Sequence, residues 1–230
     1  MKLLLTRPEQ DGAATARRLV ALGHEVIVAP ATEIVATGNA VPISNFDALL
    51  ATSANAIRAI PPDTLEALRD LPLHCVGQKT ASVARSVGFH SIHVGGGSGE
   101  RLVDEIREVY PPSARLLYLT GTPRKPMVED GLKAAGFTVT AIDLYGTRSV
   151  ADWPGDRRGK LESVDAALHF SRASVEGLLG LAEKAGLMPN FQQMRHLCLS
   201  NDVAVPLRAA GLENVVVSSI PTEAGVILLL

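Results

Sequence analysis

The sequence contains two segments that each occur twice, in the order A, B, A′, B′. Segment A spans Leu3–Pro30 and its copy A′ spans Leu116–Tyr145, and both have the pattern of a strand, an amphipathic helix and a second strand. Segment B begins at Asp47 and its copy B′ at Asp165, and each again alternates short apolar runs with amphipathic stretches. Because parallel strands need a crossover connection, usually a helix, this alternation predicts an α/β fold with parallel sheets.

One A-type segment and one B-type segment together supply about five strands with helices between them. That combination predicts a doubly wound parallel-sheet domain of the flavodoxin or Rossmann-like kind, and the chain contains enough segments for two. Helix candidates end at glycines such as Gly88 and Gly136, which suit the left-handed position that follows a helix end.

Three joints bear on which segments fold together, a question that periodicity leaves open. The A–B joint over Thr32–Asn45 and the A′–B′ joint over Tyr145–Val164 are long and contain Pro and Gly. The B–A′ joint over Tyr110–Arg115 has only a few residues. A short joint is typical of elements inside one domain, whereas two longer joints suit a pair of crossings between domains.

We therefore expect B and A′ to form one contiguous α/β domain, at residues 40–146. A and B′ would form a discontinuous α/β domain from residues 1–35 and 152–230. Linker strands at residues 32–40 and 145–152 would join the two domains, with an active-site cleft between them.

Composition excludes some classes of function. A net charge of −2 over 230 residues predicts no basic stripe for nucleic acid. The start of the chain lacks the small-residue cleavage site of a signal peptide, and no apolar run approaches the roughly 18 residues of a membrane helix. Cys75 and Cys198 have no nearby ligand cluster, so we interpret them as reduced, buried residues of a cytoplasmic protein.

Small polar residues follow several predicted strands at the point where the next helix begins. In open α/β sheets, ligands bind beyond the carboxyl ends of the strands. Helix N-termini at that edge present unpaired N–H groups and a partial positive charge, which suit carboxylates or phosphates. The segments of this kind are TRPEQ, TSAN, GQKTA, TGTPRK, SRAS and SND, which begin at Thr6, Thr52, Gly77, Thr120, Ser171 and Ser200.

At any one of these positions, ordinary capping of a helix is the simpler interpretation, because Ser, Thr, Asn and Asp are common N-caps. Their number at the same edge of both predicted sheets favours a ligand with many carboxylates. Such a ligand would be bound by local donors, since the net charge of the chain is slightly negative.

The glycine-rich stretch Gly95–Gly99 follows a predicted strand and precedes a helix. It suits an anion but lacks both the Lys-Ser/Thr ending of a Walker motif and the GxGxxG spacing. With the twin Rossmann-like units, it keeps open a sugar-nucleotide transferase, and a non-catalytic acidic-ligand binding protein is a further alternative. No pair among the six histidines has metal-ligand spacing, and His169 is interpreted as a packed core residue.

Tyr145 is one of three tyrosines and lies at the end of a predicted strand, where the chain is expected to leave one domain for the other. A phenol at that position could donate a proton to a bound ligand. Packing of the ring inside a domain is an equally good interpretation of the sequence.

Five segments together resemble the uroporphyrinogen-III synthase family. They cover nearly the whole chain in the order typical of that family, although each motif alone is weak. The segments are Leu3–Ile34, Leu49–Ile57, Cys75–Phe89, Leu117–Thr147 and Ser219–Leu230. The resemblance implies two α/β domains joined by a two-stranded linker, with the discontinuous connectivity expected above.

The resemblance also implies the reaction. The family substrate is hydroxymethylbilane, a linear tetrapyrrole with eight carboxylates, and the enzyme closes the ring with inversion of the last pyrrole, through a spiro intermediate and with loss of water. The family is a cyclising hydro-lyase of tetrapyrrole (haem) biosynthesis that uses no cofactor and no metal. The resemblance further predicts a monomer that receives its substrate from hydroxymethylbilane synthase and has no nucleic-acid or membrane partner.

Site residues follow from the same motifs. Tyr145 falls at the linker tyrosine of the family and is predicted to be the general acid that assists departure of the hydroxyl. The arginines are predicted to bind carboxylates through two parallel hydrogen bonds. The predicted substrate-binding residues are Arg7, Thr52, Ser53, Lys79, Thr80, Arg124, Ser171, Arg172 and Asn201.

One segment departs from the family pattern. The last cleft motif of the family usually reads Gly-x-Thr-Thr or Gly-x-Thr-Ala, whereas this chain has Ser200-Asn201-Asp202-Val203. Asp202 places a negative charge at a helix N-terminus that the family uses for a carboxylate, so two alternatives stay open: it caps its own helix, or it points away.

Overall fold

The computed structural model describes residues 1–153 and 159–230, and it leaves out the side chain of Gln10. Residues 154–158, which fall in the joint between A′ and B′, lie outside the described residues. The strands are β1 (Lys2–Leu5), β2 (Glu25–Val28), β3 (Thr32–Ala36), β4 (Ala48–Ala51), β5 (Leu73–Cys75), β6 (Ile92–Val94), β7 (Arg115–Thr122), β8 (Thr138–Ser149), β9 (Ala166–His169), β10 (Arg195–Cys198) and β11 (Val215–Val217).

The helices that we number within the described residues alternate with these strands. They are α1 (Glu9–Ala21), α2 (Ala54–Arg58), α3 (Pro62–Leu68), α4 (Gln78–Ser86), α5 (Gly99–Val109), α6 (Met127–Ala134), α7 (Arg172–Ala185), α8 (Met188–Gln193), α9 (Asn201–Ala209) and α10 (Glu223–Ile227). In the part of the chain that the structure describes, no helix is long and apolar enough to cross a membrane.

The chain divides into two compact units. Unit 1 consists of Met1–Glu33 and Arg148–Leu230, and unit 2 consists of Ile34–Thr147. The sheet of unit 1 has the strand order β11-β10-β9-β1-β2, and the other sheet has the order β3-β8-β7-β4-β5-β6. In the sheet of unit 1, the neighbouring strands from β2 to β11 all pair in parallel, and in the other sheet those from β8 to β6 do so. These parallel pairings confirm the predicted α/β class.

The two units share one topology with a different chain order. Read from one edge, unit 1 has β2-β1-β9-β10-β11, and unit 2 has β8-β7-β4-β5-β6. The two strands of the A-type segment therefore occupy the same sheet positions in both units, although that segment comes first in unit 1 and last in unit 2. This correspondence explains the internal repeat of the sequence.

Both sheets are covered by helices on two faces. Successive side chains of a strand point to opposite faces, so each central strand contributes to two apolar clusters. In β1, Leu4 packs with one apolar cluster while Leu3 and Leu5 pack with another, and all three are fully buried. In β4, Leu49 and Leu50 likewise enter different clusters. Continuous apolar strands of this kind are typical of parallel sheets buried on both sides.

Two strands, β3 and β8, continue from one unit into the other and are neighbours in the sheet. The Thr37 N–H donates to Leu144 O at 3.0 Å, and the Thr37 hydroxyl donates to Asp143 O. The apolar alternation predicts that the last strand of A′ ends at Leu144, whereas β8 extends to Ser149. The reason is that the backbone of β8 beyond Leu144 still finds partners, on one side in β7 and on the other in β3.

Sequence periodicity did not predict the helices α3 and α8. Both are short, and both carry a proline in the first turn, Pro62 in α3 and Pro189 in α8. Proline is tolerated there because the N–H groups of the first turn have no partner within the helix. The two predicted glycine positions after helices are confirmed, since Gly88 and Gly136 have φ values of 94° and 93°.

Candidate functional site

A cavity of about 330 Å³ lies in unit 2 at the carboxyl ends of β4 and β7 and beside Tyr145 of β8. Four of the predicted site residues line it, namely Thr52 and Ser53 after β4, Arg124 after β7 and Tyr145 on β8. The lining also contains hydroxyl groups and a second cation that were not among the predicted substrate-binding residues, namely Tyr118, Thr120, Ser98 and Lys125. The edge of the sheet is the one at which open α/β sheets bind ligands.

Thr52 and Ser53 have different roles at the start of α2. The Ser53 hydroxyl accepts a hydrogen bond from the Asn55 N–H at 3.2 Å, so Ser53 caps the helix. The Thr52 hydroxyl instead lies 3.0 Å from the phenol of Tyr118, whose side chain is almost fully buried. If the phenol donates, the Thr52 O–H is available to donate to a group in the cavity.

Tyr145 lies over the backbone of β7. A Cβ atom at Gly121 would be 2.7 Å from Cδ1 of Tyr145 and closer still to Cε1 and Cζ. The ring occupies this place at a register shift between β7 and β8, which falls between Thr120 and Gly121. The absence of a side chain at residue 121 therefore lets the phenol reach the cavity wall.

The guanidinium of Arg124 is held by two carboxylates. Its Nη1 is 2.6 Å from Asp143 Oδ1, and its Nη2 is 2.9 Å from Glu129 Oε2. The hydrogen bond to Glu129, with the charges of both acids, raises the pKa of Arg124. The hydrogen bond from Lys133, with that from Arg124, lowers the pKa of Glu129. Arg124 is therefore charged and already bound at both ends of its fork.

Lys79 and Thr80 lie in the first turn of α4 and do not line the cavity. Lys79 is exposed, whereas Thr80 is only 6% exposed and faces the interior of unit 2. The structure thus does not bring these two residues together with Thr52 and Tyr145.

The glycine-rich loop Gly95–Gly97 uses its N–H groups within unit 2. In order along the chain, they donate to Cys75 O at 2.7 Å, Glu105 Oε1 at 3.0 Å and Val76 O at 2.9 Å. These amides are consequently not free to cradle a phosphate, and the main sequence argument for a nucleotide-sugar site is lost.

In unit 1, Arg7 stacks on an aromatic ring and forms ion pairs. Its guanidinium carbon is 4.3 Å from the centre of the Phe170 ring, and its Nη1 donates to Glu223 Oε2 at 2.7 Å and to Thr15 Oγ1 at 3.0 Å. Asp11 lies 3.9 Å from Nη2. A substrate carboxylate would have to share or replace the Glu223 contact in order to bind Arg7.

The remaining predicted residues of unit 1 surround the starts of α7 and α9. Ser171 caps α7 by accepting a hydrogen bond from the Ser174 N–H at 3.2 Å. Arg172 pairs with Glu176 at 2.9 Å and lies 3.5 Å from Asp202. The hydrogen bond to Glu176 is the larger cause of the raised pKa of Arg172.

Asn201 and Asp202 are the first two residues of α9 and are exposed. No side chain caps this helix at Ser200, and Asp202 is directed to Arg172 rather than to its own helix N-terminus. Of the two sequence alternatives for Asp202, the structure thus shows the second, and the carboxylate partly neutralises a predicted substrate-binding arginine.

His169 is fully buried, as predicted for a core histidine, and is hydrogen-bonded to a second histidine. His196 Nε2 lies 2.8 Å from Phe191 O, and because a carbonyl can only accept, Nε2 carries the proton. His196 Nδ1 then accepts from His169 Nε2 at 3.0 Å. Burial lowers the pKa of both rings, so both are neutral and neither is a base for the cavity of unit 2.

The residues that the sequence missed carried weak signals. Tyr118 lies in an apolar strand, where an aromatic residue is ordinarily a core residue. Lys125 follows Arg124 directly in the sequence. The arginine is the stronger prediction for a carboxylate ligand, because its planar guanidinium can form two parallel hydrogen bonds. Gly121 stands in TGTPRK, a segment that was interpreted for its hydroxyls and basic residues.

Comparison with known proteins gives the family. A family model described as Uroporphyrinogen-III synthase HemD matches residues 13–227. In a search of curated proteins, no sequence matches the chain significantly.

Two solved structures are similar over almost the whole chain. Uroporphyrinogen-III synthetase from Helicobacter pylori 26695 matches with a TM-score of 0.72 at 15% identity, over 99% of this chain and 97% of that chain. A mutant uroporphyrinogen III synthase from the extremely thermophilic bacterium Thermus thermophilus matches with a TM-score of 0.54 at 17% identity, over 99% of this chain and 96% of that one. At these identities, the two structures show a shared fold. Because the family model itself covers nearly the full length, the resemblance found in the ordered motifs is confirmed, and this chain belongs to the uroporphyrinogen-III synthase family.

Proposed function

We propose that this chain closes hydroxymethylbilane to uroporphyrinogen III, with inversion of the last pyrrole ring and loss of water, in tetrapyrrole biosynthesis. The family match over residues 13–227 is the observation that carries the proposal. The cavity of unit 2 supports it, since hydroxyl groups, a phenol and cations meet there at the edge of a parallel sheet.

Tyr145 is the proposed general acid. The C–O bond of the hydroxymethyl group breaks while the phenol transfers its proton to the departing oxygen, which leaves as water. The electron-deficient carbon is then attacked by the substituted α-carbon of the last pyrrole ring, which gives the spiro intermediate. The bond between that α-carbon and its original bridging carbon breaks, and the bridging carbon bonds to the free α-carbon of the same ring, which inverts the ring. The proton lost from that carbon restores the phenol. The position of Tyr145 in the cavity wall beside Gly121 supports this role for the phenol.

Other side chains hold the substrate in the conformer that reacts with inversion, which is a matter of orientation. The hydroxyl of Thr52 is a proposed donor in the cavity, and it has its proton available for a ligand when the Tyr118 phenol donates to it. The other proposed carboxylate contacts follow the sequence motifs and are Arg7, Ser53, Lys79, Thr80, Ser171, Arg172 and Asn201. Arg124, which the same motifs predicted, is instead held by Asp143 and Glu129. Arg7 and Arg172 would exchange a protein carboxylate for a substrate carboxylate.

We also propose that the chain acts as a cytoplasmic monomer that takes its substrate directly from hydroxymethylbilane synthase. The support is chemical, because the free bilane closes spontaneously to the isomer without inversion. Light scattering of the purified chain tests the monomer. A shortened lag in the coupled reaction, compared with that expected for free diffusion of the bilane, tests the handover.

The activity is tested in a coupled assay that generates the bilane in place. The expected product is the type III isomer, and accumulation of only type I at the spontaneous rate contradicts the proposal. Replacement of Tyr145 by Phe is expected to lower kcat about tenfold or more, the low end of general-acid effects. Wild-type turnover by that variant would reduce Tyr145 to a packing residue.

A further inference from the structure

We infer that Lys125, and not its neighbour Arg124, is the cation with which the cavity of unit 2 binds a carboxylate of the substrate. The inference rests on the proposed function for the identity of that substrate. It concerns two adjacent residues that line the same cavity and differ in whether they already form ion pairs within the protein.

The guanidinium of Arg124 already forms two ion pairs. Its two terminal nitrogens contact Asp143 on β8 and Glu129 on α6 at 2.6 and 2.9 Å, and all three side chains are less than one third exposed. Two charge-assisted hydrogen bonds in a partly buried place are strong contacts. A substrate carboxylate would have to displace one acid and leave it without its partner, so Arg124 is a poor ligand for it.

The ammonium group of Lys125 is available to bind an anion. It is exposed and, within the described residues, forms no ion pair. The acid that is sensitive to it is Glu100, whose pKa is lowered first by its own backbone N–H and then by the Ser98 hydroxyl, with Lys125 making the smallest contribution. The ammonium group is thus a cation at the cavity wall that forms no direct ion pair in the described part of the chain, with Glu100 as a more distant acid.

The lining of the cavity favours an anion at this place. Arg124 and Lys125 are the charged residues among those that line it, and both are positive. Since Asp143 and Glu129 form ion pairs with Arg124, Lys125 is the cation of the lining that has no direct ion pair among the described residues. The hydroxyls of Thr52 and Tyr145 line the same cavity and can donate to the second oxygen of a carboxylate.

The test compares Lys125→Met, which removes the charge and keeps the length, with Lys125→Arg, which keeps the charge. In the coupled assay, we expect Lys125→Met to raise KM about tenfold with kcat within about twofold, because one charge-assisted hydrogen bond is lost. We expect Lys125→Arg to stay within about threefold of wild type. Lys184→Met, an exposed lysine of unit 1 whose ammonium contacts a backbone carbonyl, is the matched control and should leave KM unchanged.

A binding measurement makes the result independent of turnover. Uroporphyrin III, which has the same carboxylate side chains and does not react, should bind Lys125→Met about tenfold more weakly than wild type, and the difference should shrink at high salt. Equal affinities and equal KM values for Lys125→Met and wild type would overturn the inference. If wild type makes only the type I isomer, the proposed function fails, whereas the uroporphyrin comparison still decides the role of Lys125.

Discussion

The phenol ring of Tyr145 lies against the backbone of Gly121, in a space that any side chain at residue 121 would fill. A Cβ at that position would overlap Cε1 and Cζ of the ring and would be 2.7 Å from Cδ1. Ordinary contacts between carbon atoms are at about 3.5–4.0 Å. The position of the proposed general acid thus depends on a glycine on the neighbouring strand.

Replacement of Gly121 by Ala is expected to displace the Tyr145 ring and to lower kcat about tenfold, as Tyr145→Phe does. The physical reason is that a misplaced phenol cannot reach the departing oxygen. The measurement is kcat for formation of the type III isomer. Because both changes remove the same interaction, the double variant should be little worse than either single one.

Gly146→Ala is the matched control, since it adds a methyl group at a neighbouring position of the same pair of strands. Its Cβ would meet Thr122 Cγ2 at 3.6 Å, an ordinary contact, and the Gly146 backbone is not in the left-handed region. This variant should keep kcat within about twofold of wild type. An equal loss of kcat in both alanine variants would show that the strand pair, and not the ring position, is sensitive.

Much of the fold was predictable because its signals are local in the sequence. The strand at Leu3–Leu5 is apolar at each position since both faces of the sheet are covered, and the helix ends at Gly88 and Gly136 need a left-handed residue. The repeated A-type and B-type segments indicated that the sheets are parallel and of the α/β class. The order of the strands in each sheet depends on contacts between distant segments, and periodicity does not report them.

The site was less predictable because most of its pairings join distant segments. Ser53 caps α2 by accepting a hydrogen bond from the Asn55 N–H two residues later, which is a local interaction. Thr52 instead contacts Tyr118, which lies on another strand. The difference between Arg124 and Lys125 is set by Asp143, which reaches Arg124 only because β7 and β8 are neighbours. Sequence alone identified the segments at the edge of the sheet but not the pairings among their side chains.

Replacement of Tyr118 by Phe removes the hydrogen bond to Thr52 and leaves the ring in place. We expect a loss of about 0.5–1.5 kcal/mol in the free energy of unfolding, together with a severalfold rise in KM, because the Thr52 hydroxyl is no longer oriented. Urea unfolding and steady-state kinetics measure the two effects. Thr52→Val completes a double-mutant cycle, in which purely additive effects would contradict the contact.

The thiols of Cys75 and Cys198 are expected to be unreactive in the folded chain. Both are fully buried, and burial raises the pKa of Cys75 to about 11 and that of Cys198 to about 12. Almost no thiolate, the reactive form, is therefore present near neutral pH. Titration with a disulfide reagent at about pH 8 should label neither cysteine before denaturation and both in urea, where the thiols return to ordinary values. Rapid labelling of the native chain would contradict this burial.

His74 makes the stability of unit 2 depend on pH. Burial, with a smaller effect of the nearby His93, lowers the pKa of His74 from 6.5 to about 4. His93 stacks on it at 4.5 Å between ring centres, and the Tyr110 hydroxyl lies 3.0 Å from its Nε2. The unfolded chain thus binds a proton at His74 more readily than the folded chain does, and stability falls as the pH is lowered from about 6.5 to about 4.

The expected contribution of His74 is a loss of about 2 kcal/mol in the free energy of unfolding between about pH 7.5 and about pH 5. Urea unfolding at the two pH values measures it. His74→Gln is the comparison variant, because an amide can still hydrogen-bond the Tyr110 hydroxyl but does not titrate. Since the buried His169 and His196 of unit 1 also have lowered pKa values, wild type and variant should both lose stability, the variant by about 2 kcal/mol less. The same loss in both proteins would show that His74 is protonated as easily in the folded chain as in the unfolded one.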